Sequence, residues 1–168
     1  MNGFTENRAP EASERPGRDE RVLTWGASRA MLPLVGRIAA DVIRHHDRLA
    51  RLRPEQARLE HRRRTLAWPE RARRYELQEE IAAAERELRQ AVAELEALGV
   101  ALLDPAAGLV GFPTIVNDRR AFFSWQPGEE GLHFWNYAGD RVRRQVPEAW
   151  TRPPRERAPR GKPRPEIK

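Results

Sequence analysis

Four histidines, two arginine runs and a cluster of aromatics are the side chains of this sequence with chemical potential. His45 and His46 are adjacent, so on a helix they cannot face one point, and no His-x-x-x-His spacing sets two imidazoles on one face. His133 lies in a stretch that also carries Asp104, Asp118, Glu129 and Glu130, with Trp125 and Trp135 beside it. Such a set does acid–base work only if the fold gathers it. Gly128-Glu129-Glu130-Gly131 is acidic and turn-like rather than a phosphate-cradling loop, and no serine carries a nucleophile-elbow pattern. With no cysteine in the chain there is no thiol nucleophile and no Cys-based zinc site. No catalytic residue, metal or cofactor is assigned.

The arginines suggest a different chemistry. Between Arg51 and Arg74 stand nine Arg and three Glu, including His61-Arg62-Arg63-Arg64 and Arg71-Ala72-Arg73-Arg74; from Tyr75 to Leu98 there are seven Glu and two Arg. Arg62, Arg63, Arg64, Arg71, Arg73 and Arg74, with Trp68 among them, are candidates for phosphate contact. The competing reading is a solvated surface on which two helices exchange ion pairs. The aromatics Phe122, Phe123, Trp125, Phe134, Trp135 and Tyr137 also read two ways. They cover a sheet against helices, or they leave one face as a platform, for which Trp125, His133, Trp135 and Tyr137 are the candidate interaction surface.

The elements that must position these residues follow from apolar spacing. Met31, Val35, Ile38, Val42, His45, Leu49, Leu52, Gln56, Leu59, Arg63 and Leu66 recur at alternating steps of four and three, a heptad seam with three polar members. Leu77, Ile81, Ala84, Leu88, Ala91, Leu95 and Leu98 make a second seam. This predicts helices over 24–66 and 70–98. Thr24 is a candidate N-cap, although Pro33 allows a start nearer Ser28 or Leu32. Pro69 disfavours helix at Trp68 and suits a first helical turn, so the reversal is placed at Trp68–Pro69 rather than at the rival Pro54. Gly99 is a natural helix stop. From Val100 to Tyr137 the period shortens to two, and turn residues at 104–108, 117–119 and 127–130 punctuate it. Gly111 and Pro113 make the strand at 109–116 irregular and edge-like. The result is an antiparallel β-meander over 100–137, which needs a partner layer, and the root of the hairpin is the candidate.

Composition sets the limits of this unit. Of 34 Leu, Ile, Val and Phe residues, 30 lie between 21 and 140. Residues 1–20 carry three Arg and five acids, and residues 141–168 carry ten basic residues, three acids and six prolines. Both ends read as disordered tails around one folded domain at 21–140, the second tail strongly basic. The fold class is α+β: a long antiparallel, coiled-coil-like helical hairpin packed at its root on a small antiparallel β-meander. The absence of a long apolar run or of an apolar stretch near the N-terminus predicts a cytoplasmic protein without membrane association.

Leu98-Gly99-Val100, Asp104, Gly108-Leu109-Val110-Gly111-Phe112-Pro113, Phe122-Phe123-Ser124-Trp125, Pro127-Gly128-Glu129 and Phe134-Trp135 resemble a bacterial family of uncharacterised proteins, domain of unknown function 2203. Leu23-Thr24-Trp25, Ala27 and Ala30-Met31-Leu32-Pro33 are similar to its opening motif. The resemblance spans roughly 21–140 and implies a helical pair followed by a small sheet, but no activity. The family pattern has Asp where Gly111 stands, Cys-Trp where Ser124-Trp125 stands and His where Asn136 stands. If those positions form a site in relatives, this chain has lost much of it. The leading functional reading is a non-enzymatic interaction or scaffold module with a protein partner. The alternative is nucleic-acid or ribosome association through the basic tip and tail, and a metal-dependent or hydrolase-like enzyme stands third.

Overall fold

Thr24 sets the start of the first helix. Its hydroxyl oxygen accepts the Ala27 N–H at 3.2 Å, and the Ser28 hydroxyl donates back to the Thr24 carbonyl at 2.9 Å. In the computed structural model, which describes residues 21–152, α1 spans Trp25–His61 and α2 spans Trp68–Ala97. The expected tails at 1–20 and beyond 152 lie outside the described residues. Pro33 and Pro54 both sit inside α1. They are exposed, as are Arg29 and Ala50 four residues back, so water can take the carbonyls that proline leaves unpaired.

Pro54 lies inside α1, so the reversal is not there. It falls at 62–67, just before Trp68 and Pro69, which open α2 rather than separate the helices. Thus α1 ends at His61 rather than 66, and α2 runs 68–97 rather than 70–98. Arg63 N–H donates to the Glu60 carbonyl and Thr65 N–H to the Arg62 carbonyl, tight turns that replace the last helical turn. They swing Leu66 back into a small cluster with Leu59 and Leu77. Ala67 has no side chain to cap α2; instead a Glu70 carboxylate oxygen accepts the Ala67 N–H at 3.3 Å.

The two seams meet as spaced. Val35, Ile38, Val42, Leu49 and Leu59 of α1 and Leu77, Ile81, Ala84, Ala91 and Leu95 of α2 are buried. The polar seam members stay nearer water: His45 and Gln56 are half-buried and Arg63 is exposed. The hairpin therefore has a large cluster at its root, a middle cluster of Leu49, Ile81 and Ala84, and the small tip cluster.

The sheet is a five-stranded antiparallel meander in chain order: β1 Ala101–Asp104, β2 Leu109–Val116, β3 Arg119–Trp125, β4 Phe134–Tyr137 and β5 Arg144–Gln145. Asn117 and Asp118, both at positive φ, form the two-residue turn between β2 and β3. Pairing of Val110 with Trp125 and of Phe112 with Phe123, and of Phe123 with Trp135, puts these side chains on one face. They join Val35, Ile38, Ala39, Val42, Ala91 and Leu95 in the root cluster. Gly108 allows the β1–β2 turn to lie on α1: a Cβ there would stand 2.7 Å from Ile43 Cδ1 and 3.2 Å from the Ala39 carbonyl oxygen, at φ +62°. The Trp25 indole N–H donates to the Leu132 carbonyl at 2.9 Å and fixes the start of α1 to the loop before β4.

Two expectations change. The strand carrying Pro113 is interior, between β1 and β3. Its Pro113 carbonyl accepts the Leu23 N–H at 2.7 Å, past the end of β1, so the missing proline N–H faces that side and removes no bond to β3. The boundary at 140 also falls too early. Val146 N–H donates to the His133 carbonyl, β5 adds to β4, and a short α3, Glu148–Thr151, follows. Trp150 of α3 packs against Trp135 (ring centroids 5.4 Å apart) and edge-on to Phe123 (6.3 Å), covering sheet that the hairpin leaves bare. A single tryptophan in a proline-rich, basic stretch supplies this anchor, which no periodicity announces.

Leu95→Ala, at a site with no solvent exposure, should lower stability by about 2–5 kcal/mol in urea unfolding. Leu34→Ala, on the solvent face, should stay within about 0.5 kcal/mol. Trp150→Ala should cost about 1–3 kcal/mol, a loss absent if 141–152 were a free tail.

Candidate functional site

The arginines of the hairpin tip divide into two groups. Arg73 Nε donates to Glu55 Oε1 at 3.1 Å across the hairpin, and its Nη1 donates to Glu80 Oε1 at 2.9 Å. Arg74 Nε donates to Glu60 Oε2 at 2.6 Å. The Arg73–Glu55 and Arg74–Glu60 pairs join the arms, whereas Arg73–Glu80 lies within α2. Arg53 with Glu85 (3.2 Å) and the contact of His45 Nδ1 with Glu87 Oε2 (3.1 Å), a hydrogen bond when that nitrogen carries the proton, also cross between the arms. Hydrogen bonds from Arg73 hold the Glu55 carboxyl below its ordinary value, and those from Arg74 do the same for Glu60. In return, hydrogen bonds to Glu55 and Glu80 push Arg73 upward, and the bond to Glu60 pushes Arg74 upward. Arg73 and Arg74 are thus committed to the hairpin.

The second group lies around the turn. Arg62 and Arg63 reach Glu70 and Glu60 only at 3.6 and 3.5 Å and remain exposed. Arg64 is exposed and pairs with none of the described carboxylates. Arg71 Nε donates to the Leu66 carbonyl at 2.9 Å, which pins the guanidinium beside the turn while the residue stays exposed. Trp68 is 77% exposed and Tyr75 62%. Trp68, Arg71 and Tyr75 stand at i, i+3 and i+7, one side of α2. An indole this open to water is uncommon, whereas isolated exposed aliphatics are not.

The sheet aromatics resolve differently. Trp125 and Trp135 are core residues, so the expected platform of Trp125, His133, Trp135 and Tyr137 does not form a surface. Their indoles face the helices because the alternation that aligns Phe123 with Trp135 also faces α1. Tyr137 is half-buried, edge-on to Trp135 at 5.0 Å with the Arg119 guanidinium over its ring, and its hydroxyl accepts from Asn117 Nδ2 at 3.2 Å. His133 is exposed at the entry to β4. The acid–base set is not gathered either. Asp104 pairs opposite Leu109 at one end of β2, whereas Asp118 follows Val116 at the other, about 23 Å along the strand. Glu129 is held by Arg143, with Nη1 and Nη2 donating at 2.6 and 2.9 Å. Among the described residues no three His, Asp or Glu side chains cluster as a metal site would require.

The outer face of the sheet carries Gly111, Ser124 and Asn136, the positions at which the resemblance implies Asp, Cys and His. Gly111 lies directly opposite Ser124, and Asn136, two residues from Ser124's other partner Phe134, shares their face. The three positions are neighbours, but their contents here do another job. A Cβ at Gly111 would stand 2.8 Å from the Phe122 ring, so the aromatic occupies that space. Ser124 is fully buried and its hydroxyl accepts from Arg143 Nε at 3.1 Å. Asn136 Nδ2 donates to the carbonyls of Tyr137 and Asp140 and holds the loop before β5. A guanidinium cannot take a proton from a serine, so Ser124 has no base in Arg143. A cleft of about 600 Å³ remains between this face and the loop, with Leu103, Phe122, Asn136 and Arg143 in its wall. Arg143 had no sequence signal, because it lies in the stretch that reads as tail.

These features define an α+β protein in which a helical hairpin is rooted on an antiparallel meander and an aromatic–arginine patch lies at the free end. The chain belongs to the family described as uncharacterised conserved protein (DUF2203), whose model matches residues 21–146. No curated protein and no solved structure matches it. No helix among the described residues is long and apolar enough to cross a membrane.

The depressed Glu55 and Glu60 carboxyls stabilise the fold above the unfolded-state value, and that contribution is lost as pH falls through their lowered folded-state values. Melting followed from pH 7 to 3 should therefore show wild type losing more stability than the Glu55→Gln/Glu60→Gln double variant below about pH 4.5. Parallel curves would contradict the pairing.

Proposed function

We propose that this chain is a non-enzymatic interaction module, working in the cytoplasm, whose contact surface is the tip of the helical hairpin. The observation that carries this reading is the exposure of Trp68 and Tyr75, with Arg71 between them, at the end of a stalk anchored elsewhere. Aromatics and arginine dominate the energetics of contact surfaces because they bring large area, or many donors, at small entropic cost. The sheet supports the reading from the other side. Its polar positions are filled by Phe122 and by Arg143 bound to Ser124 and Glu129, an arrangement suited to stiffness rather than to turnover.

The test is capture from a native lysate of the source organism on immobilised wild-type chain and on a Trp68→Ala/Tyr75→Ala variant, each with and without nuclease. Material retained by wild type and lost from the tip variant is the expected result. An identical retained set on both baits would overturn the reading.

A further inference from the structure

The tip of the hairpin carries a chemistry that selects among classes of partner. Resting on the reading of the tip as the contact surface, we infer that its partner is a single-stranded nucleic acid, with Trp68 and Tyr75 stacking on unpaired bases and Arg62, Arg63, Arg64 and Arg71 meeting phosphates.

Three observations carry this. First, the charge there is positive and available. Arg64 pairs with none of the described carboxylates, Arg71 bonds only a carbonyl through Nε, and Arg62 and Arg63 meet glutamates no closer than 3.5 Å. The short pairs of Arg73 and Arg74 with Glu55, Glu60 and Glu80 remove those two arginines from the list and anchor the surface that bears the others. Second, the large exposed apolar groups at the tip are the rings of Trp68 and Tyr75. Trp68 and Tyr75 are two helical turns apart, about 10 Å, with Arg71 between them. Rings interleaved with arginine on a basic surface are the pattern that tracks a strand by stacking and by backbone charge. Third, the neighbouring aliphatics are withdrawn: Leu59, Leu66 and Leu77 are buried in the tip cluster. A surface built to enter a lipid layer would expose them. Duplexes are disfavoured because their bases are stacked internally and leave no ring free for Trp68.

The experiment uses the full chain and a fluorescein-labelled 20-nucleotide oligouridylate, read by anisotropy and by tryptophan fluorescence from low to moderate salt. Trp68 is the most exposed of the five tryptophans, so stacking should quench the exposed component of the emission. Binding should weaken linearly in log salt. Arg64→Glu/Arg71→Glu should weaken it at least tenfold and flatten the slope by about one unit per lost phosphate contact. Arg86→Glu/Arg89→Glu, the same charge change on the exposed middle of α2, should leave it within about threefold. Trp68→Ala should abolish the quench and weaken binding about five- to hundredfold, and Trp68→Phe should retain most of the affinity. Circular dichroism melting checks each variant. If the arginine variant does not fold, the wild-type quench and the Trp68→Phe comparison decide.

No binding at low salt, equal loss from the tip and middle variants, preference for duplex RNA, or stronger binding to phosphatidylglycerol vesicles would each overturn the inference. If oligouridylate fails to bind while tip-dependent capture from lysate survives nuclease, the nucleic-acid assignment falls and the interaction module stands. If capture is independent of the tip, the broader reading falls as well.

Discussion

The inner face of the meander and the root of the hairpin bury one another, and the rest of the molecule depends on that contact. Phe112, Phe123, Trp125 and Trp135 project from three adjacent strands onto Val35, Ile38, Ala39 and Val42 of α1 and onto Ala91 and Leu95 of α2. A sheet whose strands are two to eight residues long cannot hold itself in water, and a two-helix hairpin has only its narrow seam. Burying ring against aliphatic stripe solves both problems at once. The details of the root follow from it: Gly108 lets a turn lie against α1, the Trp25 indole ties the first helix to the loop before β4, and Trp150 closes the part of the sheet that two helices cannot span.

That division leaves the far end of the hairpin with a different balance. The tip cluster has three buried leucines, so charge pairing across the arms adds to the little apolar contact available. The pairing is selective: Glu55 and Glu60 of α1 engage Arg73 and Arg74 of α2, with Glu80 adding to Arg73 from its own helix, while the arginines of the turn stay at the water interface. The two readings of the basic run, interhelical ion pairs or an exposed cationic patch, thus describe different residues of the same run.

The helices and most of the sheet were legible because their signals are periodic. Alternating steps of three and four located the seams as far as Leu59 in α1 and along α2, and alternation by two placed Phe123 and Trp135 on one face. Local competition hid the rest. Tight turns at 62–65 shortened α1, and the side on which Pro113 lacks a donor proved harmless. β5, α3 and Arg143 were missed because they depend on a few long-range contacts in a stretch whose composition reads as tail. The aromatic platform was misplaced because composition counts rings without saying which layer covers them. Of the candidate site, the arginines and Trp68 were legible as a group, but the separation of Arg73 and Arg74 from the others needed the distances.

Native-state hydrogen exchange tests the root-anchored arrangement most directly, because it measures opening free energy along each helix. Amides of 35–42 in α1, of 91–95 in α2 and of β2 and β3 should exchange only by global unfolding, while those of 55–61 and 70–77 should exchange through smaller openings. Equal protection along both arms, or a tip more protected than the root, would contradict the account.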